Sequence, residues 1–286
     1  MAAVQTTAGA IDSSELGRTL IHEHFRGRDE AVAFQWPHVM DDEEEHRLAL
    51  EAAEAVKGHG VRTVVEPTAM LLGRDVRRSR RLAAESGLQV VACTGIYTYD
   101  HLPQFLLNRD ADYIANLFVH DVERVLRAVA QASLKTGRPI MAHSQPATRR
   151  GLEIMDVFDD EGIDPRKVQI AHTGDTDDLD YIEELLARGP WIGMDRYGLD
   201  IFLPTDKRNA TVIELCKRGH ANRMTLSQDA CATMDWYPPE LKPQLAPEWD
   251  FTFLWRGVLP ALSDGGVSDD EIDTMMRENP RAWLTA

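Results

Sequence analysis

Thr19-Leu20-Ile21-His22-Glu23-His24 is an apolar run that closes on two histidines one residue apart, and three later segments close in the same manner. Along an extended strand successive side chains alternate faces, so His22 and His24 share a face and can grip one ion while Glu23 points away. Pro139-Ile140-Met141-Ala142-His143, Val168-Gln169-Ile170-Ala171-His172 and Met224-Thr225-Leu226-Ser227-Gln228-Asp229 repeat the form: a short apolar run, then a metal-competent residue. A helical segment precedes each of them, which places the runs in a parallel sheet. His22, His24, His143, His172 and Asp229 then fall at C-terminal strand ends. That is the end of a parallel barrel where the βα loops converge and chemistry is built. The expected fold class is therefore α/β, a TIM-type (β/α)8 barrel.

Strand and helix alternate from Thr19 to the C-terminus of the 286-residue chain without a break in composition, so a single barrel domain over 1–286 is expected. With 43% apolar and 27% charged residues, a chain of this length can bury a full core without staples. Cys93, Cys216 and Cys231 are odd in number and lack Cys-x-x-Cys spacing, which predicts reduced thiols and a cytoplasmic setting. No secretory signal and no membrane-length apolar run stand in the sequence. A net charge of −16 opposes binding to a polyanion, so nucleic acid is excluded as a partner. The one basic cluster, Arg74, Arg77, Arg78, Arg80 and Arg81, is expected to be a solvated helix face.

Thr6 to Gly17 reads as a loop or small hairpin, and the long excursion Phe25 to Met40, with Arg26, Arg28, Phe34 and Trp36, has the length of a functional loop. Strand three, Gln89 to Ile96, delivers Tyr97 and Tyr99 to the catalytic end, where they either cap the barrel mouth by packing or hold substrate. Residues 112–136 carry a 3.6-residue apolar period and read as one helix, which leaves no room for a fourth strand before Pro139. Strand four is thus missing or altered. Trp191 to Arg196 delivers Arg196 and Tyr197 to the rim, the loop after Asp229 can wall a pocket with Cys231 and Trp236, and Asn279-Pro280 marks a break in the last helix.

Assembled in order, His22-Glu23-His24, Gly95-Ile96-Tyr97-Thr98-Tyr99, His143-Ser144, Ala171-His172-Thr173-Gly174-Asp175, Gly193-Met194-Asp195-Arg196-Tyr197-Gly198 and Ser227-Gln228-Asp229-Ala230-Cys231 closely resemble the phosphotriesterase family of the amidohydrolase superfamily, in particular its phosphotriesterase-like lactonases. The resemblance spans Thr19 to Leu284. It implies two divalent metal ions, most often zinc, otherwise iron, cobalt or manganese. It makes His22, His24 and Asp229 ligands of the more buried ion and His143 and His172 ligands of the more exposed one. It further implies Asp229 as general base, Tyr97 against the bridging hydroxide or substrate oxygen, and Arg196 as the rim arginine near the leaving group. Tyr99, Cys231 and Trp236 would line the pocket or a subunit contact, with a homodimer as the assembly. The family also places a carboxylated, metal-bridging lysine on strand four, where relatives have roughly two dozen more residues, enough for a strand and its loop. This chain departs there: Lys135 is the sole lysine between Tyr97 and His143, at the end of a helix.

The expected function is a metal-dependent hydrolase that opens N-acyl-homoserine or other small lactones by attack of a metal-bridging hydroxide, with phosphotriester hydrolysis as a side activity. The alternatives are a primary phosphotriesterase and, from another class, a metal-binding scaffold that has lost turnover with its bridging lysine.

Overall fold

The computed structural model describes residues 2–95, 125–237 and 240–286. Tyr97, Tyr99 and residues 112–124 of the expected 112–136 helix lie outside the described residues; 125–136 are helical.

The chain opens on an antiparallel hairpin, β1 (Ala3–Thr6) and β2 (Gly9–Asp12), in the register Val4↔Ile11. Parallel strands β3 (Arg18–Leu20), β4 (Val61–Glu66) and β5 (Gln89–Ala92) form one arc in that order. A second arc runs β6 (Ile140–His143), β7 (Val168–Ala171), β8 (Trp191–Met194) and β9 (Met224–Leu226), again all parallel. Burial is complete in β7, β8 and β9, as helices on the outside and a packed barrel inside require, and only partial in β5 and β6. The two arcs join beyond β3 and β9, where the His24 N–H donates to the Ala230 carbonyl at 2.8 Å and the Ala232 N–H to the His24 carbonyl at 2.9 Å. β3 is accordingly shorter than the apolar run predicts. Beyond β3 the Glu23 N–H still donates to the Val65 carbonyl of β4 at 3.2 Å, while His22 and His24 pair with the chain after β9, so one extended run serves both arcs.

Helix α1 (Glu30–Gln35) lies in the Phe25–Met40 excursion, capped by the Asp29 carboxylate on the Ala31 and Val32 N–H groups. Helix α2 (Asp42–Gly58) begins with four acids at its positive end and buries His46, Ala49, Ala53 and Val56 against the sheet. Helix α3 (Val76–Ser86) ends at Gly87, whose φ of 74° is the left-handed cap that glycine supplies without strain. The basic cluster is in the main the solvated face expected, with Arg74, Arg77, Arg80 and Arg81 exposed; Arg78 is not part of it, being half-buried. Arg81 pairs with Glu43 at 2.8 Å, while Arg78 and Arg28 converge with Asp42 and Glu45 between α2 and α3. Like-charged arginines are tolerated there because the acidic first turn of α2 faces them.

Nor does Asn279-Pro280 break the last helix. A π turn at Thr274–Glu278 leads into helix Asn279–Leu284, and another at Leu254–Val258 precedes Pro260 in helix Leu259–Asp264. Proline has no N–H and its ring crowds the carbonyl four residues back; a widened turn just before it lets the helix continue.

Candidate metal centre

Each arc contributes side chains to one cluster at the C-terminal strand ends. His22 and His24 lie on the extended segment after β3, His143 ends β6, His172 follows β7, and Asp229 sits three residues beyond β9. His172 and Asp229 both have left-handed backbones, φ 62° and 49°, a conformation that costs a non-glycine residue about 1–3 kcal/mol and collects at functional sites. Local bonds hold the Asp229 turn: its N–H donates to the His22 carbonyl at 3.0 Å and its carbonyl accepts the buried Trp249 indole N–H at 2.9 Å. Lys242, stacked over Trp249, donates to the Cys231 carbonyl at 2.6 Å in the same turn.

The distances within the cluster are short. Asp229 Oδ1 lies 3.3 Å from His22 Nε2 and 3.1 Å from His24 Nε2, and His172 Nε2 lies 3.0 Å from His143 Nδ1. Asp195 ties the two histidine groups together from behind. Its Oδ1 accepts the His172 backbone N–H at 2.8 Å and lies 3.0 Å from His172 Nδ1, while its Oδ2 is 3.2 Å from His22 Nδ1. Gly193 on β8 makes room for this carboxylate: a Cβ there would stand 2.8 Å from Asp195 Cγ and 3.2 Å from Ala171 Cα.

Two groups of these residues, His22 with His24 and Asp229 and His22 with His172 and Asp195, bring donor atoms close enough together to hold a metal ion. The donor set fits a divalent transition ion, which imidazole nitrogen and carboxylate oxygen bind well. Buried His22 Nδ1 and Asp195 Oδ2 face each other at 3.2 Å and have no other polar partner within the protein, so the pair fixes the His22 ring with Nε2 turned toward Asp229.

Electrostatics follow from the crowding. Burial acts against the Asp229 and Asp195 carboxylates, yet the surrounding histidines outweigh it and hold both well below the usual range. Burial likewise disfavours a charged His22, but Asp229 and Asp195 prevail and its pKa is raised. His143 goes the other way: burial, then His172 and Arg196, push it down to about 3, so its ring is neutral at working pH. Arg196 bridges Asp229 Oδ2 at 2.9 Å and Asp175 Oδ2 at 3.0 Å and lies over the Phe202 ring.

Glu23 points away from its histidine neighbours, as strand alternation requires, into the seam between the arcs. Ser227 Oγ and the Gln228 N–H donate to its Oε1 at 2.9 Å each, and the Ala230 N–H to its Oε2 at 2.7 Å. Burial pushes this carboxyl up to about 8 against the pull of those donors.

The cluster faces a cavity of about 570 Å³ whose wall includes Arg196, Ile201, Phe202, Cys231, Met234 and Trp236. The structure thus brings His22, His24, His143, His172, Asp229 and Arg196 together and sets Cys231 and Trp236 on the same cavity. Tyr197 is not at the rim; it is fully buried beside the Arg208 guanidinium. Lys135 is exposed on helix 125–136. Sequence reasoning missed Asp195, whose signal was an acid directly before Arg196 and two residues after a strand glycine.

The chain matches the phosphotriesterase family over residues 2–124 and 115–284. It is 41% identical over 305 aligned positions to the aryldialkylphosphatase of Saccharolobus solfataricus, covering 96% of this chain and 97% of that protein. It is 37% identical over 316 positions to a phosphotriesterase homology protein of Mycobacterium tuberculosis, covering 98% and 97%. The solved structure of the phosphotriesterase from Mycobacterium tuberculosis superposes with a TM-score of 0.89 at 36% identity, covering 99% of this chain and 98% of that one. Both alignments exceed the 286 residues of this chain, so each relative carries residues that this chain lacks. The two matched stretches overlap at 115–124, inside the segment where the sequence offers no fourth strand.

Proposed function

The chain belongs to the phosphotriesterase family of the amidohydrolase superfamily, and from that premise we propose that it is a hydrolase that opens lactones, N-acyl-homoserine or other small ones, with phosphotriester hydrolysis as a side activity. The observation that carries this is the convergence of His22, His24, His143, His172 and Asp229 on the wall of one largely apolar cavity. His22, His24 and Asp229 would hold one divalent ion and His143 and His172 a second, zinc in first place, with iron, cobalt or manganese as substitutes. Bound there, such ions lower the pKa of a water and polarise an ester or phosphoryl oxygen.

The chain's own groups do the rest. Asp229, ionised and held by Arg196, takes a proton as the attacking water adds to the acyl carbon, and returns it to the ring oxygen as the acyl C–O bond breaks. Arg196 keeps a guanidinium at the cavity wall, where negative charge on the departing oxygen develops. Tyr97 would contact the substrate oxygen, while Tyr99, Cys231 and Trp236 shape the pocket. An acyl chain lies well along Ile201, Phe202 and Met234, and this favours lactone over the smaller phosphotriester. Exposed Phe34, Trp36 and Val39 supply an apolar patch for a homodimer.

The test compares kcat/KM for a long-chain N-acyl-homoserine lactone and for paraoxon: an excess for the lactone is expected, and a clear excess for paraoxon makes the chain a primary phosphotriesterase. A second reading, a metal-binding scaffold without turnover, is favoured by one feature, the want of a lysine that could bridge two ions. Metal content measured beside activity separates them. His143→Ala should cut lactone turnover at least about a hundredfold if the cluster acts as a unit, and metal bound without turnover of either substrate establishes the scaffold.

A further inference from the structure

We propose that Glu66 and Thr68 are positioning residues that fix which nitrogen of His24 is free to bind metal; this rests on His24 being a metal ligand. Thr68 Oγ1 donates to Glu66 Oε1 at 3.0 Å, and Ser79 Oγ donates to Glu66 Oε2 at 2.7 Å. A hydroxyl has one proton, and a carboxylate only accepts. With its proton given to Glu66, Thr68 Oγ1 has lone pairs left, and His24 Nδ1 stands 2.8 Å from it. The His24 proton therefore sits on Nδ1, and Nε2 is left bare.

That bare nitrogen faces Asp229 Oδ1 at 3.1 Å, one acceptor against another. Two acceptors held this close inside a protein repel unless a cation lies between them or beside both. The relay thus does more than orient a ring: it removes the proton that would otherwise compete with an ion. Every member is sheltered from water, with Thr68 3%, His24 6%, and Glu66 and Ser79 7% exposed. Glu66 ends β4 and Ser79 belongs to α3, so the outer helix layer reaches the site through three side chains. A metal-ligating histidine whose other nitrogen is fixed in this manner binds more tightly, and loss of such a partner lowers affinity about 10- to 100-fold.

The experiment strips metal from the full-length chain and titrates it with Zn²⁺ alone in competition with a chromophoric chelator, for the wild type and for Thr68→Val, Thr68→Ser and Glu66→Gln. Thr68→Val has nearly the wild-type shape but no hydroxyl, and should weaken the affected Zn²⁺ site about 10- to 100-fold. Thr68→Ser keeps the relay and should stay within about threefold of the wild type. Glu66→Gln, which removes the charge behind the hydroxyl, should weaken binding in the same direction and stands in if the valine variant does not fold. A purely structural role would lower the melting temperature of the metal-free Val variant and leave its Zn²⁺ affinity unchanged, which overturns the relay alone. No Zn²⁺ binding by the wild type overturns the metal reading and the relay with it.

Discussion

Glu23 shows how a single side chain holds the site without touching an ion. Its two oxygens accept from Ser227, Gln228 and Ala230, the residues that flank Asp229, so the carboxylate pins the Asp229 turn to the strand that carries His22 and His24. Glu23→Gln would turn one oxygen into an N–H donor facing another donor. A buried donor left unsatisfied costs about 1–3 kcal/mol, so the urea midpoint of this variant should fall by a corresponding amount; an unchanged midpoint removes Glu23 from this role. Arg196 makes a different case. It binds Asp229 and Asp175 at once, and Arg196→Met should lower kcat about tenfold or more while metal content stays at the wild-type level. Equal loss of metal would make the arginine a structural strut rather than a group that acts on the substrate.

Among the elements, the seam between α2 and α3 makes a prediction about pH. The Arg28 hydrogen bond holds the Asp42 carboxyl below the ordinary aspartate range against a small opposing effect of burial. The folded chain therefore binds this proton less readily than the unfolded one, and the seam contributes stability above pH about 4 that is lost as pH falls through the lowered folded value. Urea midpoints should be flat from about pH 6 to 5 and fall below about 4, and Arg28→Met should shallow that fall; the same slope with and without Arg28 assigns the acid sensitivity elsewhere. These pairings also show what the sequence disclosed and what it withheld. The apolar runs closed by His24, His143, His172 and Asp229 were legible because burial on both faces and a ligand at the strand end leave a linear trace. The partner of Arg78 on α3 was not legible, since Arg78 and Asp42 are 36 residues apart and meet only when two helices pack. For the same reason β3 is shorter than its apolar run suggests: the pairing of His24 with Ala230 is chosen by barrel closure, not by local propensity. Pro280 was read as a break because a regular helix cannot contain it, and the π turn that admits it has no sequence pattern of its own. Asp195 and Glu66 were passed over since lone acids at strand ends resemble surface acids until their histidine partners stand beside them.

Across the whole molecule, the candidate donors are divided between the two arcs of the barrel. His22 and His24 come from the arc of β3, β4 and β5, and His143, His172 and Asp229 from the arc of β6 to β9. Among the described residues the arcs are joined by backbone hydrogen bonds between residues 22–27 and residues 229–235. An ion held by His22, His24 and Asp229 would therefore lie across that junction and bind the native arrangement far better than the unfolded chain, whose ligands are dispersed. Binding to the folded state alone adds RT ln(1 + [L]/Kd), about 2.7 kcal/mol when free ion is at a hundred times Kd. For a chain of this size each kcal/mol moves the midpoint by about 2–4 °C, so dialysis against a chelator should lower Tm by about 5–10 °C and Zn²⁺ should restore it. The His24→Ala variant, which loses a donor from the first arc only, should show a much smaller shift on adding Zn²⁺. If chelation leaves Tm where it was while metal analysis confirms that ions were removed, the cluster binds its ions without bridging the arcs, and closure rests on the strand pairing at His24 and on the Glu23 cage.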